Sequence, residues 1–164
     1  MMYRCLIANR GEIAVRIIRA CRELNIETVA IYAKGDENSL HVSLADQAIC
    51  IGEANPLDSY LNIDRIISAA KVTESNAIHP GYGFLSESTN FAKAVEDNHI
   101  HFIGPSKTTM EMMGDKITAR QTVKQAGVPV IPGSNDAVQS VDEIKLLAKE
   151  IGFPVVLKAA SGGG

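Results

Sequence analysis

Short runs of consecutive apolar residues alternate along this chain with longer stretches whose apolar positions recur every three or four residues. Arg4–Ala8 (RCLIA) is a compact run of the kind that fills a buried parallel strand, where both faces are covered and polar alternation disappears. After Asn9-Arg10-Gly11, the residues Ile13, Ala14, Ile17, Ile18, Cys21 and Leu24 fall on one stripe and predict a helix packed on a core. Thr28–Ala33 (TVAIYA) predicts a second strand and Ala48–Ile51 a third. Asn62 is a fitting N-cap for a helix carrying Ile63, Ile66, Ile67 and Ala70. Asn76–His79 predicts a fourth strand, followed by a glycine-rich loop and a helix at Thr89–Asp97. His101–Ile103 predicts a fifth strand, closed by Gly104-Pro105. Strand–helix–strand order repeated in this way predicts an α/β fold with an open, mostly parallel sheet and right-handed crossovers.

The pattern changes near Gly114, which places a domain boundary there and divides the chain into 1–114 and 115–164. Helical stretches are expected at Thr108–Met113 and Lys116–Gln125, then a short strand Val128–Ile131 and a helix from about Val141 to Ile151. Gly152 stops that helix, and Pro154 opens a strand, PVVLK. The sequence ends on Ser161-Gly162-Gly163-Gly164. Folded domains seldom finish in a glycine loop directly after a strand, so the chain is expected to continue beyond Gly164.

Composition narrows the class. A chain of 164 residues holds one domain, or one and part of another. The net charge of −3 supplies no basic footprint for nucleic acid, and the lack of Trp with only 5% aromatic residues argues against stacking platforms for single strands. No apolar run approaches the roughly 18 residues of a membrane span, and Arg4 and Glu12 interrupt any secretory h-region. Cys5, Cys21 and Cys50 lie far apart in apolar surroundings and are expected to be core thiols of a reducing compartment. These features predict a cytoplasmic protein without nucleic-acid or membrane partners.

Chemistry-bearing residues cluster at predicted strand ends. Lys158 ends the last strand, where open α/β sheets bind ligands, and Gly162, Gly163 and Gly164 would let backbone N–H groups approach phosphate oxygens. The order is not that of a Walker A loop, and a flexible linker starting at Ser161 is the competing reading. Asp115 suits an N-cap, and Lys116 beside it either reaches an anionic ligand or is solvated. His79-Pro80-Gly81-Tyr82-Gly83-Phe84 follows the fourth strand, and its two glycines form a tight loop that exposes the Tyr82 ring or folds it onto the core. Asn9-Arg10-Gly11-Glu12 occupies the first strand-to-helix turn but has a single glycine, which is no dinucleotide fingerprint. Glu12, Arg16, Arg19 and Glu23 form a charged stripe on the first helix, suited to solvent or to a two-fold interface. His99 and His101 are expected to share a face of the fifth strand without the further ligands a metal needs, and no Ser-His-Asp order is present.

Taken together, IANRGEIAVRIIRAC, SYLNIDRIISAA, HPGYGFLSES, FIGPS, MGDK and PVVLKAASGGG resemble the N-terminal part of biotin carboxylase, an ATP-grasp ligase, over residues 2–164. The resemblance implies a Rossmann-like pre-ATP-grasp domain over 1–114 and the start of an ATP-grasp domain over 115–164, in a family whose chains are considerably longer. It implies a reaction in which bicarbonate attacks the γ-phosphate of MgATP to give carboxyphosphate, and biotin attached to a carrier protein is then carboxylated at N1′. Lys116 and Lys158 match ATP-contacting lysines, Gly162, Gly163 and Gly164 the start of a mobile glycine lid, and Tyr82 and Gly83 the border of the biotin pocket. Arg16, Arg19 and Glu23 match a homodimer interface. The implied partners are biotin carboxyl carrier protein and a carboxyltransferase component, which selects acetyl-CoA, propionyl-CoA or pyruvate as acceptor. The catalytic residues and the Mg²⁺ ligands are expected beyond Gly164, so these 164 residues alone are expected to be inactive. The alternatives are another ATP-grasp ligase, of the carbamoyl-phosphate or purine-pathway kind, and a module for dimerisation or carrier docking.

Overall fold

The apolar runs form a parallel sheet, and it is covered on both faces. A computed structural model describes residues 3–114, 116–134 and 136–158. Its strands are β1 (Arg4–Ile7), β2 (Glu27–Ala33), β3 (Gln47–Gly52), β4 (Ala77–His79) and β5 (His101–Phe102). They form one five-stranded sheet in the order β3-β2-β1-β4-β5, every neighbouring pair parallel. Cys5 and Ile7 of β1 pack with Ala14, Ile17, Ile18 and Cys21 of α1 (Gly11–Glu23). Leu6, which the two-residue period of a strand turns to the opposite face, is buried as completely. Helix α1 touches α2 (Leu40–Leu44), and α3 (Ile63–Val72) touches α4 (Thr89–Asp97). Side-chain caps start α3 and α4: Asn62 Oδ1 accepts from the Arg65 N–H at 3.1 Å, and Ser88 Oγ from the Phe91 N–H at 3.2 Å.

The chain divides into two compact units, Met1–Lys107 and Thr108–Gly164. The second carries α5 (Lys107–Gly114) across its start, then α6 (Lys116–Gln125) and α7 (Val141–Ile151). Ser140 caps α7 through the Glu143 N–H at 3.2 Å, and Gly152 ends it at φ 96°. The expected N-cap Asp115 lies outside the described residues, as do Gly162, Gly163 and Gly164.

Several expectations need correction. Neither Val128–Ile131 nor the PVVLK segment is a strand. Ile131 is 85% and Val156 78% exposed, and an apolar run becomes a strand only where neighbours receive its ladder of hydrogen bonds. Leu24 leaves the apolar stripe because α1 ends at Glu23, and Asn25, at φ 57°, turns the chain away. Cys50 is exposed rather than buried: β3 is an edge strand, and Ile51 alone along it is fully covered. His99 stands in a turn at φ 58° ahead of β5, so it does not share that strand with His101. The short α2 and a 3-10 turn at Pro56–Asp58 were not expected from the pattern.

Candidate functional site

The strand order reverses between β1 and β4, and in an open α/β sheet the crevice beyond the carboxyl ends of two such strands is where ligands bind. Two loops meet there. Asn9 to Glu12 leave β1, and Pro80 to Phe84 leave β4. The buried side chain of Asn9 joins them, because both hydrogens of its Nδ2 are used, one on the Pro80 carbonyl and one on the Tyr82 carbonyl, each at 2.8 Å. Its Oδ1 accepts from the Arg10 N–H at 2.9 Å. A Cβ on Gly81 would stand 2.7 Å from Asn9 Nδ2, so the glycine is what permits this approach.

The loop beyond is held from the other side. Phe84, at φ 41°, stacks on Tyr60 with ring centroids 5.3 Å apart and planes 5° from parallel. Tyr60 is buried. Its hydroxyl donates to Asp36 Oδ2 at 2.6 Å and accepts from the Ala33 N–H at 3.0 Å. Burial pushes that hydroxyl well above the usual tyrosine range, and Asp36 beside it adds to the effect. The Arg10 guanidinium lies 5.7 Å from the Tyr60 ring centroid and 3.4 Å from Asp36 Oδ2. Between the two anchors, Tyr82 is 59% exposed, and its hydroxyl donates to a Glu12 carboxylate oxygen. Tyr82 is therefore presented to solvent rather than folded onto the core.

These residues wall a cleft of about 430 Å³, with Arg10, Glu12, Asp36, Tyr82 and Phe84 among its lining. The walls carry one cation, two carboxylates, a phenol and an aromatic face, a set that can hold a polar ring by hydrogen bonds and stacking. No group of three or more His, Cys, Asp or Glu side chains able to hold a metal ion is found among the described residues.

His41, in the cleft wall, is buried with Nε2 at 3.2 Å from the Ile31 carbonyl and no partner for Nδ1. The carbonyl requires Nε2 to be the donor, which leaves Nδ1 a lone pair in a neutral ring. Desolvation lowers the pKa of His41, and of His79, whose Nδ1 accepts from the Gly81 N–H at 3.0 Å. A histidine held below its unfolded pKa stabilises the fold fully above about pH 6.5, and that contribution is lost as pH falls through the lowered value. Stability is thus expected to decline on acidification below about pH 6.5, by at most about 1.4 kcal/mol per histidine per pH unit. His41→Gln should flatten the decline in urea titrations between pH 7.5 and 5.5; an unchanged slope would remove His41 from the account.

Of the residues singled out from sequence, Tyr82 and Gly83 line the cleft. Arg16, Arg19 and Glu23 are exposed on α1, as the stripe predicts, whereas Glu12 of that stripe turns to Tyr82. Lys158 is exposed in the second unit, and Lys116 opens α6 with its side chain outside the description. Asn9, Asp36, Tyr60 and Phe84 were not assigned roles from sequence. Only the position of Asn9, directly after a buried strand, hinted at one.

Comparison with known proteins places this geometry in context. Residues 1–110 match the family described as biotin carboxylase, N-terminal domain, and residues 115–164 the family described as carbamoyl-phosphate synthase L chain, ATP binding domain. The chain is 56% identical over its whole length to biotin carboxylase 1 of Bacillus subtilis, of which it spans 36%. The biotin carboxylase–β,γ-ATP complex of Campylobacter jejuni superposes with a TM-score of 0.91 at 50% identity, over 100% of this chain and 37% of that one. The biotin carboxylase domain dimer of Hydrogenobacter thermophilus 2-oxoglutarate carboxylase, solved with MgADP, ADP and bicarbonate, gives 0.89 at 52% identity, over 100% and 36% of the two chains.

Proposed function

The chain belongs to the biotin carboxylase family, and from that premise we propose that it is the N-terminal part of an enzyme that uses MgATP and bicarbonate to carboxylate the N1′ of carrier-bound biotin. The observation that carries the proposal is the Asn9 clasp at the strand-order reversal, which presents Tyr82 and Gly83 at the rim of a cleft. In this reading those two residues border the biotin pocket. Lys116, Lys158 and Gly162, Gly163 and Gly164 bind ATP in a domain starting near residue 115, and the match of 115–164 to an ATP-binding family supports that part. Bicarbonate attacks the γ-phosphorus and ADP leaves; carboxyphosphate then gives up its CO₂ unit to biotin N1′, which loses its proton, and inorganic phosphate leaves. The groups that perform this chemistry belong to the longer chain, since the relatives run to nearly three times this length, and the 164 residues alone turn over no ATP.

Arg16, Arg19 and Glu23 form a homodimer face in this reading, supported by their exposure on α1 and by the dimeric relative. Carrier protein and carboxyltransferase complete the system, and the protein works in the cytoplasm. No helix among the described residues is long and apolar enough to cross a membrane. The test is ATP cleavage by the full-length enzyme with bicarbonate and free biotin each supplied or withheld. Cleavage should require bicarbonate and rise with biotin, and Tyr82→Ala should raise the KM for biotin about tenfold while moving the KM for ATP less than twofold. A parallel rise in both constants would make the loop structural. A second reading, an ATP-dependent ligase with another acceptor, has the description of the family matching 115–164 in its favour, and cleavage indifferent to biotin would select it.

A further inference from the structure

We propose that Asn9 and Tyr60 are positioning residues for biotin recognition: from opposite ends they fix where the Tyr82–Gly83 segment stands, and so set the affinity for biotin without touching it. The inference rests on the assignment of Tyr82 and Gly83 to the biotin pocket and names what holds them in place. Asn9 and Tyr60 are 4% and 2% exposed, which leaves a ligand almost no surface to meet on either. They act through what they hold, which is the loop and, beside it, the cleft-lining Arg10 and Asp36.

The two anchors bracket the segment. On its N-terminal side, both hydrogens of Asn9 Nδ2 are committed to the carbonyls of Pro80 and Tyr82, so the side-chain amide has a single productive orientation. On its C-terminal side, Phe84 occupies the left-handed region, a conformation uncommon for a bulky residue and kept only where its surroundings over-determine it. The Tyr60 ring beneath Phe84 does that. It is held by one bond to the Asp36 carboxylate and another from the Ala33 N–H at the end of β2, so the stack stands on the rigid sheet. Tyr82 itself has a solvent-exposed ring with one polar contact, to Glu12. Left alone, such a loop would sample many arrangements, and each would have to be given up on binding. Holding it at both ends beforehand lowers that entropic cost, which appears as affinity for the ligand that meets the loop.

The test uses the full-length enzyme and steady-state carboxylation of free biotin. Tyr60→Phe keeps the ring and its packing and removes only the hydroxyl, so the fold is not at stake, and Asn9→Ser removes the double donor. Each should raise the KM for biotin by about five- to twentyfold, with the KM for ATP and bicarbonate-dependent ATP cleavage without biotin held within about twofold. A residue that acts through Tyr82 loses its effect once Tyr82 is gone. Tyr60→Phe added to Tyr82→Ala should therefore raise the biotin KM less than about twofold further. Full multiplication of the two effects, an equal rise in the KM for ATP, or an unchanged biotin KM in Tyr60→Phe would each overturn the inference while wild-type stimulation by biotin preserves the pocket assignment. A wild-type enzyme indifferent to biotin would overturn both.

Discussion

The full-length enzyme carrying Lys116→Gln together with Lys158→Gln is expected to need at least about 100-fold more ATP for half-maximal cleavage than the wild type. In the proposed phosphate site each ammonium would offer a charge-assisted hydrogen bond to a phosphate oxygen, worth about 1.5–3 kcal/mol, or roughly tenfold to hundredfold in affinity. Lys116 stands at the first position of α6, a ten-residue helix with no acidic residue in its first turn. The N–H groups and dipole at that end favour the same anion as an ammonium does. Lys158 is exposed, and its replacement removes a charge without opening a cavity. Lys→Arg at either position keeps the charge but changes its geometry, and should recover part of the affinity. Titration with a fluorescent ATP analogue reads the loss directly, and a steep dependence on ionic strength in the wild type should flatten in the double variant. Nucleotide affinity within threefold of wild type would remove both lysines from the phosphate site and leave them as solvated surface charges.

Much of the first unit was legible in the sequence because its signals are local. A continuous apolar run such as RCLIA can be satisfied only by cover on both faces, and Asn62 announces its helix within three residues of the bond it makes. The glycines of the HPGYG segment likewise marked a tight loop at a strand end, while leaving open whether Tyr82 faces solvent or the core. What escaped was non-local. Asp36, Tyr60 and Phe84 are ordinary in their own surroundings, and they acquire a role only when residues 24 positions apart meet, as Tyr60 does with Asp36. The same reason explains Cys50. Its apolar neighbours predicted burial, but β3 has no further strand on its outer side, a fact of sheet order that no window of sequence contains. Val128–Ile131 and PVVLK show the converse, with strand composition present and no strand formed. Composition states what a segment tolerates, and a ladder of hydrogen bonds requires something else to be there.

The link between fold and cleft is tightest at Gly52, where Gly52→Ala should cost about 3 kcal/mol and loosen the Tyr60–Phe84 stack. Gly52 closes β3 at φ 147°, beside a register shift at Tyr32/Ala33, and its carbonyl accepts from the Lys34 N–H at 2.9 Å. A Cβ there would overlap the Asp58 carbonyl oxygen and Arg65 Nη1, and would lie 3.2 Å from Arg65 Cζ. Arg65 could swing aside only by giving up its bond to the Ile51 carbonyl at 3.0 Å. The Asp58 carbonyl is backbone and cannot swing. It ends the 3-10 turn at Pro56–Asp58, two residues before Tyr60, so relief of the overlap must move the segment that carries the stack. Overpacking and backbone strain each cost about 1–3 kcal/mol, and here they coincide. Gly35→Ala separates the two contributions: Gly35 also has a positive φ, 96°, but a Cβ there meets nothing within 4 Å. It should lose only about 1 kcal/mol and leave hydrogen exchange around residues 56–65 unchanged. In Gly52→Ala, exchange should rise across both β3 and residues 56–65, with a weaker KM for biotin following from the displaced Tyr60. Equal losses in the two variants would mean that conformational strain alone governs the position, and that the 3-10 turn does not transmit it to the cleft.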